Sequence, residues 1–307
     1  MVSLYPRVWR SVIGISMLFA FIGLVVANST ATLYLAGLLI LLIGIPHGAA
    51  DHRLFQQLYT RTYGWRSLLL FYLGYLGLMG IVFLGWYLLP QFTLIAFLVL
   101  SAYHFGQGNF AYLVGRKLPL HVLYLLWGAW VIATPILLHF EEAQAVLSAL
   151  LSSDVQWTID VTPRTLVYSS TAVIIGYLLL LLRKLGWKNF RRELTSIAVL
   201  LSVFHLAPLF LGFAIYFALW HALPSAMDQI RFLFQDENRQ TARRYVIVIL
   251  PFSALAILSI CAVFWLQPGV DWNAYWSWLF ACIAALTLPH MLLLDRVYDR
   301  MLNQDLN

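Results

Sequence analysis

The chain is poor in charge. Of its 307 residues, 10% are Asp, Glu, Lys or Arg and 62% are hydrophobic. Soluble domains carry about 25% charged and about 45–50% apolar residues. A water-soluble fold of this length is excluded, because it could not hide so much apolar surface, and lipid must be the solvent for much of the chain. Cysteine is almost missing as well. Cys261 and Cys282 both lie inside apolar runs and have no CxxC spacing. That excludes a disulfide framework and a thiolate metal site, and both residues read as small buried apolar groups. Several enzyme templates are also absent: there is no GxSxG elbow, no P-loop in context, no HExxH and no Rossmann fingerprint. No repeat, low-complexity tract or linker divides the chain, so residues 1–307 read as one integral membrane domain. The net charge of +6 does not point to nucleic acid, because its Lys and Arg cluster between apolar runs. Short loops on the cytoplasmic face of a membrane protein are basic in this way.

Apolar runs fill the rest. They lie near 11–28, 31–48, 67–89, 91–107, 119–139, 165–183, 194–222, 243–266 and 273–293. Each approaches the roughly 20 residues that a helix needs to cross a bilayer. They are continuous rather than alternating, so they predict helices. The fold class is an all-α polytopic transmembrane bundle of about 8–10 membrane segments. Arg7 and Arg10 precede the first run, but a small-residue cleavage site is lacking and a second long run follows at once. The first run therefore reads as a retained helix rather than a signal peptide.

Charge gives the orientation. Arg53, Arg61 and Arg66 follow the second run, Arg116 and Lys117 the fourth, and Arg183, Lys184, Lys188, Arg191 and Arg192 the sixth. An N-terminus inside puts all of them on the cytoplasmic side of the cell inner membrane. The outer connections near 29–30, 90, 140–164 and 267–272 carry almost no Lys or Arg, Arg164 excepted. Arg231, Arg239, Arg243 and Arg244 break this alternation if 194–222 crosses once, as do Arg296 and Arg300 in the tail. Parity returns if the run enters and leaves on one side. Pro208 lies near its middle and can break the helix. The expectation is a broken or re-entrant pair of half-helices there.

Histidine carries the chemistry. The eight are His47, His52, His104, His121, His139, His205, His221 and His290. An ionisable residue inside a membrane is costly and marks a functional site unless it is satisfied locally. His47 in GIPHGAADH, His104 in SAYHFGQGN, His221 in YFALWHALPSAMDQ and His290 in LTLPHMLLLD each end an apolar run. With the parity argument all four ends fall at one depth on one side. Four imidazoles at one level can form a nitrogen-rich site for Fe, Zn, Cu or Ni. Asp51, one turn after His47, is placed to accept a hydrogen bond from a ligand imidazole or from His52, or else to cap the helix or pair with Arg53. Asp228 and Asp295 follow His221 and His290 in a similar way. Gly44, Gly48 and Gly106 suit close helix approach. His121 and His139 flank the fifth run as interfacial residues. His205, beside Pro208, suits backbone groups freed by the proline better than a ligand role. Tyr103, Phe105, Phe110, Tyr216, Phe217 and Trp220 neighbour the histidine motifs. They could line a site for a long apolar or polyene ligand, or simply pack helices.

Taken together, PHGAADH, His104 in YHFG, YFALWHALPS and the late LPHMLLLD resemble the Brp/Blh family of membrane-bound β-carotene 15,15′-dioxygenases, in order and approximate spacing over roughly 40–295. The resemblance implies an Fe(2+) enzyme that takes β-carotene and O2 from the bilayer and gives two molecules of retinal. It implies that His47, His104 and His221 are iron ligands. Members often carry a further histidine one turn after the WH histidine. Here that position is Ser225, preceded by Pro224, and His290 is the candidate to complete the metal set. Asp51, Tyr103, Phe105, Tyr216, Trp220 and Ser225 are the candidates for supporting or substrate-lining roles. The competing readings are a membrane oxidase acting on another lipid, a transporter, and a non-enzymatic partner of a retinal-binding protein.

Overall fold

The computed structural model describes residues 6–26, 30–59, 64–113, 118–151, 160–236, 238–266 and 272–304. Arg61, Arg116 and Lys117, used above for orientation, lie outside them. All regular structure among the described residues is helical. The apolar runs become α1 (Pro6–Val25), a limb made of α2 (Thr30–Leu39), irregular turns and α3 (Asp51–Tyr59), then α4 (Gly64–Leu88), α5 (Pro90–Phe110) and α6 (Leu118–Leu138). A short α7 (Phe140–Leu151) precedes α8 (Pro163–Leu180) and α9 (Leu182–Leu206). The chain closes with α10 (Leu209–Ile215), α11 (Leu223–Phe234), α12 (Arg239–Leu266) and α13 (Trp272–Gln304). Among the described residues, eight helices are long and apolar enough to cross a membrane. The protein is an all-α polytopic membrane bundle. The connection read at 140–164 contains α7, a helix the run pattern did not suggest.

The expected break at Pro208 is present, and the two limbs it separates are unequal. Ala207 is extended at φ −90°, ψ 144°, and Pro208 has ψ 156°. Contacts with α1 show what the chain does there. Trp9 Nε1 donates to Ser196 Oγ at 3.4 Å, while Gly23 lies against Ala207, Pro208 and Leu211. Trp220 Nε1 then donates to Ser16 Oγ at 3.0 Å. Along α1 the partner therefore advances from Ser196 to Ala207 and returns to Trp220, so the chain reverses at Ala207–Pro208. α9 is broken by Gly186 (φ 72°). The first two turns of its remaining stretch carry Lys188, Arg191, Arg192 and Glu193, so its apolar part, residues 194–206, is about 20 Å long. It is not one of the eight bilayer-length helices, whereas the returning limb Leu209–Phe234, of 26 residues, is. The hairpin is unequal, with a short entering limb and a full-length returning one. The reversal keeps the charge parity that motivated the expectation, but the returning limb is longer than a half-helix.

The histidine expected to serve the freed backbone is also a different one. Pro208 has no N–H, so the Phe204 carbonyl loses its helical donor. His139 Nε2, from the end of α6, bonds that carbonyl at 3.0 Å. His205 is exposed, and it bonds Leu201 O at 2.8 Å and the Tyr168 hydroxyl at 3.3 Å. His139 thus ties α6 to the hairpin turn, beyond the interfacial role expected for it.

α5 and α6 pack backbone to backbone. A Cβ added at Gly106 would run into the Tyr124 carbonyl, and one at Gly128 into the Ala102 carbonyl. Small residues allow such close approach where lipid supplies no hydrophobic force between helices. The contact pairs 106 with 124 and 128 with 102, so the helices are antiparallel, and it fixes α5 at the level of His104.

A topology reporter fused after Gln240 is expected to read the same side as one fused after Lys188. Opposite readings would overturn the hairpin.

Candidate functional site

Two of the candidate histidines sit on interrupted helix beside a proline, and a third follows a proline inside a continuous helix. In the α2 limb Ile45 N–H reaches back five residues to Ile40 O, making a π turn over Ile40–Gly44. A 3-10 turn over Ile45–Ala50 follows and holds Pro46 and His47. In the hairpin's returning limb Leu223 N–H again reaches five residues back, to Ala218 O, and the π stretch Tyr216–Ala222 holds His221 just before Pro224. His290 follows Pro289 inside α13. Proline cannot donate, so the ladder near it must change register. The π turns are one way to do so, and such turns recur at functional sites. His104 stands on regular α5.

These four side chains meet. Ring centres are 5.3 Å apart for His47–His221, 4.8 Å for His47–His290, 4.9 Å for His104–His221 and 5.6 Å for His104–His290. Each pair is close to perpendicular. All four are buried, with relative exposures of 8% for His47, 1% for His104, 5% for His221 and 3% for His290. Imidazoles sharing one ion through bonds of about 2.1 Å have neighbouring ring centres about 4.5–5.5 Å apart. Three of the four spacings fall in that range and His104–His290 lies just beyond it. The unfilled valence fits as well: both ring nitrogens of His104 and Nε2 of His290 are buried without a hydrogen-bond partner. In a membrane interior such nitrogens carry a desolvation cost that only a ligand or ion would offset. The donors are not drawn in as a finished shell, since no ready-made group of three or more His, Cys, Asp or Glu donors stands among the described residues.

Two of the rings have their outer nitrogen set by the protein. His47 Nδ1 donates to the Gly44 carbonyl. His290 Nδ1 donates to Asp51 Oδ1 at 2.8 Å, and Tyr75 donates to Asp51 Oδ2 at 3.0 Å. Asp51 therefore serves a candidate imidazole, as its position suggested, but the partner is His290 on another helix rather than His47. His52 turns to Ala49 O at 3.2 Å and stacks near Phe252.

An apolar cleft ends at this cluster. It encloses about 950 Å³ of empty space counted out to its mouth, between α5, α6, α7, α10 and α13. Phe97, Phe210, Phe213 and Phe280 line its length, and Phe105, Phe217 and Thr287 lie at its inner end. Phe105 is 4.6 Å from the His221 ring and Phe217 is 5.8 Å from His47, centre to centre. Gly44 lacks a Cβ where the Phe217 ring presses against it. One turn beyond the histidines the packing becomes polar. Gln107 Nε2 donates to Asp295 Oδ1 at 2.9 Å, Gln229 donates to Ser225 Oγ at 3.2 Å, and Tyr245 donates to Gln229 at 2.7 Å. Ser225 also bonds Tyr298. Asp228 lies within electrostatic reach of the same tyrosine.

Several expected lining residues lie elsewhere. Tyr103 is hydrogen-bonded to His121 Nδ1 at 2.9 Å, toward α6. Trp220 anchors α1 through Ser16. Tyr216 is buried between Phe105 and Phe204. Phe110 packs on Trp127 at 5.3 Å. None of these four lines the cleft, because a helix turns its neighbours by about 100° per residue and only every third or fourth faces one way. Gly48 is in ordinary contact range of His290 at 3.8 Å and is not required by close approach. Tyr75, Gln107 and Tyr298 gave no signal in the sequence, since each depends on a partner far along the chain, and Gln229 was not singled out although its partner Ser225 is one turn away.

α5 is anchored past the site by a buried carboxylate. Glu193 of α9 accepts from Asn109 at 3.1 Å, from Tyr112 at 3.1 Å and from Arg192 at 2.6 Å, with the Arg192 guanidinium over the Tyr112 ring. Burial and the Glu193 charge hold the Tyr112 phenol far above its usual range, so it stays a donor.

The geometry defines a class: a polytopic membrane protein with a polyhistidine cluster at the end of an apolar cleft. The family described as Beta-carotene 15,15'-dioxygenase matches residues 38–298, which include all four histidines, and the chain belongs to that family. A relative from an uncultured marine bacterium, 66A03, bears the name Beta-carotene 15,15'-dioxygenase. It is 26% identical over 265 residues, which cover 85% of this chain and 92% of the relative. No solved structure matches the chain.

Replacing Glu193 with Ala strands three donors, the Arg192 charge among them. The expected loss is about 3 kcal/mol of stability, read as a lower midpoint in unfolding of the detergent-solubilised protein. An unchanged midpoint would show that the clamp contributes nothing.

Proposed function

We propose that this chain cleaves β-carotene at its central double bond with O2 to give two molecules of retinal, using iron(II) held by His47, His104, His221 and His290. The observation that carries this reading is a set of four buried imidazoles, three of their nitrogens unpartnered, at the inner end of an apolar cleft. The family and the name of the marine relative supply the reaction. Imidazole nitrogens suit a divalent transition metal.

Iron(II) in such a site supplies the activation of O2. The chain's own residues bind, orient and exclude. A carotene is a hydrocarbon, so its binding energy comes from apolar burial. Phe97, Phe210, Phe213 and Phe280 offer that surface, and Phe105 and Phe217 bring the polyene to the histidines. The apolar lining of the cleft would exclude water from the reacting polyene. Both atoms of O2 end in the two aldehydes, so no further reductant is consumed. No residue need act as a general acid or base. Substrate and products dissolve in lipid, which makes the bilayer their route in and out. Basic clusters that fall on one side suit a cell inner membrane protein with that side facing the cytoplasm.

In cells that accumulate β-carotene, expression of the chain is expected to bleach the pigment and produce retinal on chromatography. His47→Ala and His104→Ala are expected to abolish the product and the bound iron while the bundle stays folded. Unchanged carotene beside well-folded, membrane-inserted protein would contradict the substrate. Stoichiometric iron retained in either variant would contradict the ligand assignment.

A further inference from the structure

Asp51 stands apart among the polar residues around the histidines. It is buried at 3% exposure and takes donors from two other helices, Tyr75 of α4 and His290 of α13. An acidic side chain inside a membrane is expensive and is retained where it has partners and a task. The two bonds satisfy one oxygen each. They also specify the imidazole: with Nδ1–H committed to Asp51, the lone pair of His290 lies on Nε2. That nitrogen is buried and unpartnered. His47 is oriented in the same manner, but by the neutral Gly44 carbonyl.

We infer that Asp51, steadied by Tyr75, is the positioning residue for His290, presenting Nε2 to a divalent metal and setting a compensating negative charge against the site. The inference rests on the metal reading above. It follows from charge as well as from direction. Four neutral imidazoles leave a divalent ion uncompensated in a medium of low dielectric. A carboxylate hydrogen-bonded to one of them offsets part of that charge and raises the donor strength of the ring. Tyr75 divides the load, holding one oxygen so that the other stays aimed at Nδ1. Its hydroxyl lies 3.4 Å from the Leu286 carbonyl, one turn before His290, so the same side chain also spans to the helix that carries this ligand.

The test uses the purified full-length chain and its Asp51→Asn, Asp51→Glu and Tyr75→Phe variants. Fe(II) and Co(II) affinity is measured by competition with a chelator, and the visible bands of the Co(II)-loaded proteins are compared. Size-exclusion profiles and unfolding midpoints control for folding. The expected result is a loss of about 10- to 100-fold in affinity for Asp51→Asn, with shifted Co(II) bands. A smaller loss in the same direction is expected for Tyr75→Phe, and Asp51→Glu should regain part of the affinity. Wild-type affinity and an unchanged Co(II) spectrum in both Asp51→Asn and Tyr75→Phe would overturn the inference and leave the metal site standing. If Asp51→Asn fails to fold, Tyr75→Phe decides alone, and an unchanged result there overturns it. A wild-type chain that takes up neither ion overturns the metal reading and this inference together.

Discussion

Four imidazoles buried in a lipid-facing bundle are the constraint on which the rest depends. A polar ring in hydrocarbon is costly unless its nitrogens are satisfied. Here the four rings come from four different limbs and lie within 5.6 Å of a neighbour, centre to centre. To bring them to one level, two limbs abandon regular helix at π turns, each ending just before a proline. The cost of that irregular backbone is tolerable because it lies inside the protein rather than against lipid.

The surrounding structure holds these limbs at that level. Gly106 and Gly128 let α5 touch α6, and Glu193 ties the far end of α5 to α9. Trp220 fixes the His221 limb to α1, and His139 closes the backbone gap that Pro208 leaves. The site then separates two environments. The cleft on one side is almost wholly apolar, while the layer beyond the histidines is built from Asp51, Gln107, Asp295, Ser225 and Gln229. At the cleft's inner end Phe105 and Phe217 pack against His221 and His47.

Much of this was legible in the sequence, for stated reasons. Length and continuity of the apolar runs marked the crossings, and the basic clusters around Arg243 forced a reversal near Pro208. That reversal put His47, His104, His221 and His290 at a common depth before any contact was known. What failed was local direction. Tyr103 and Trp220 neighbour the motifs in sequence, yet they face His121 and Ser16, because the pattern does not fix a helix's rotation when every face is apolar. The π turns lie just before Pro46 and Pro224 and were not foreseen from the sequence. Tyr75 and Gln107 were out of reach, since their roles rest on partners over 20 and over 180 residues away. Ser225, where the resemblance implied a histidine, is hydrogen-bonded to Gln229 and Tyr298 and does not line the cleft.

The most direct test of the four-histidine metal centre is X-ray absorption at the iron edge on the purified, active chain. The expected spectrum shows iron in a shell of nitrogen and oxygen only, with outer-shell scattering from four imidazoles. A chain that cleaves carotene without iron, or iron whose spectrum lacks imidazole scattering, would contradict it.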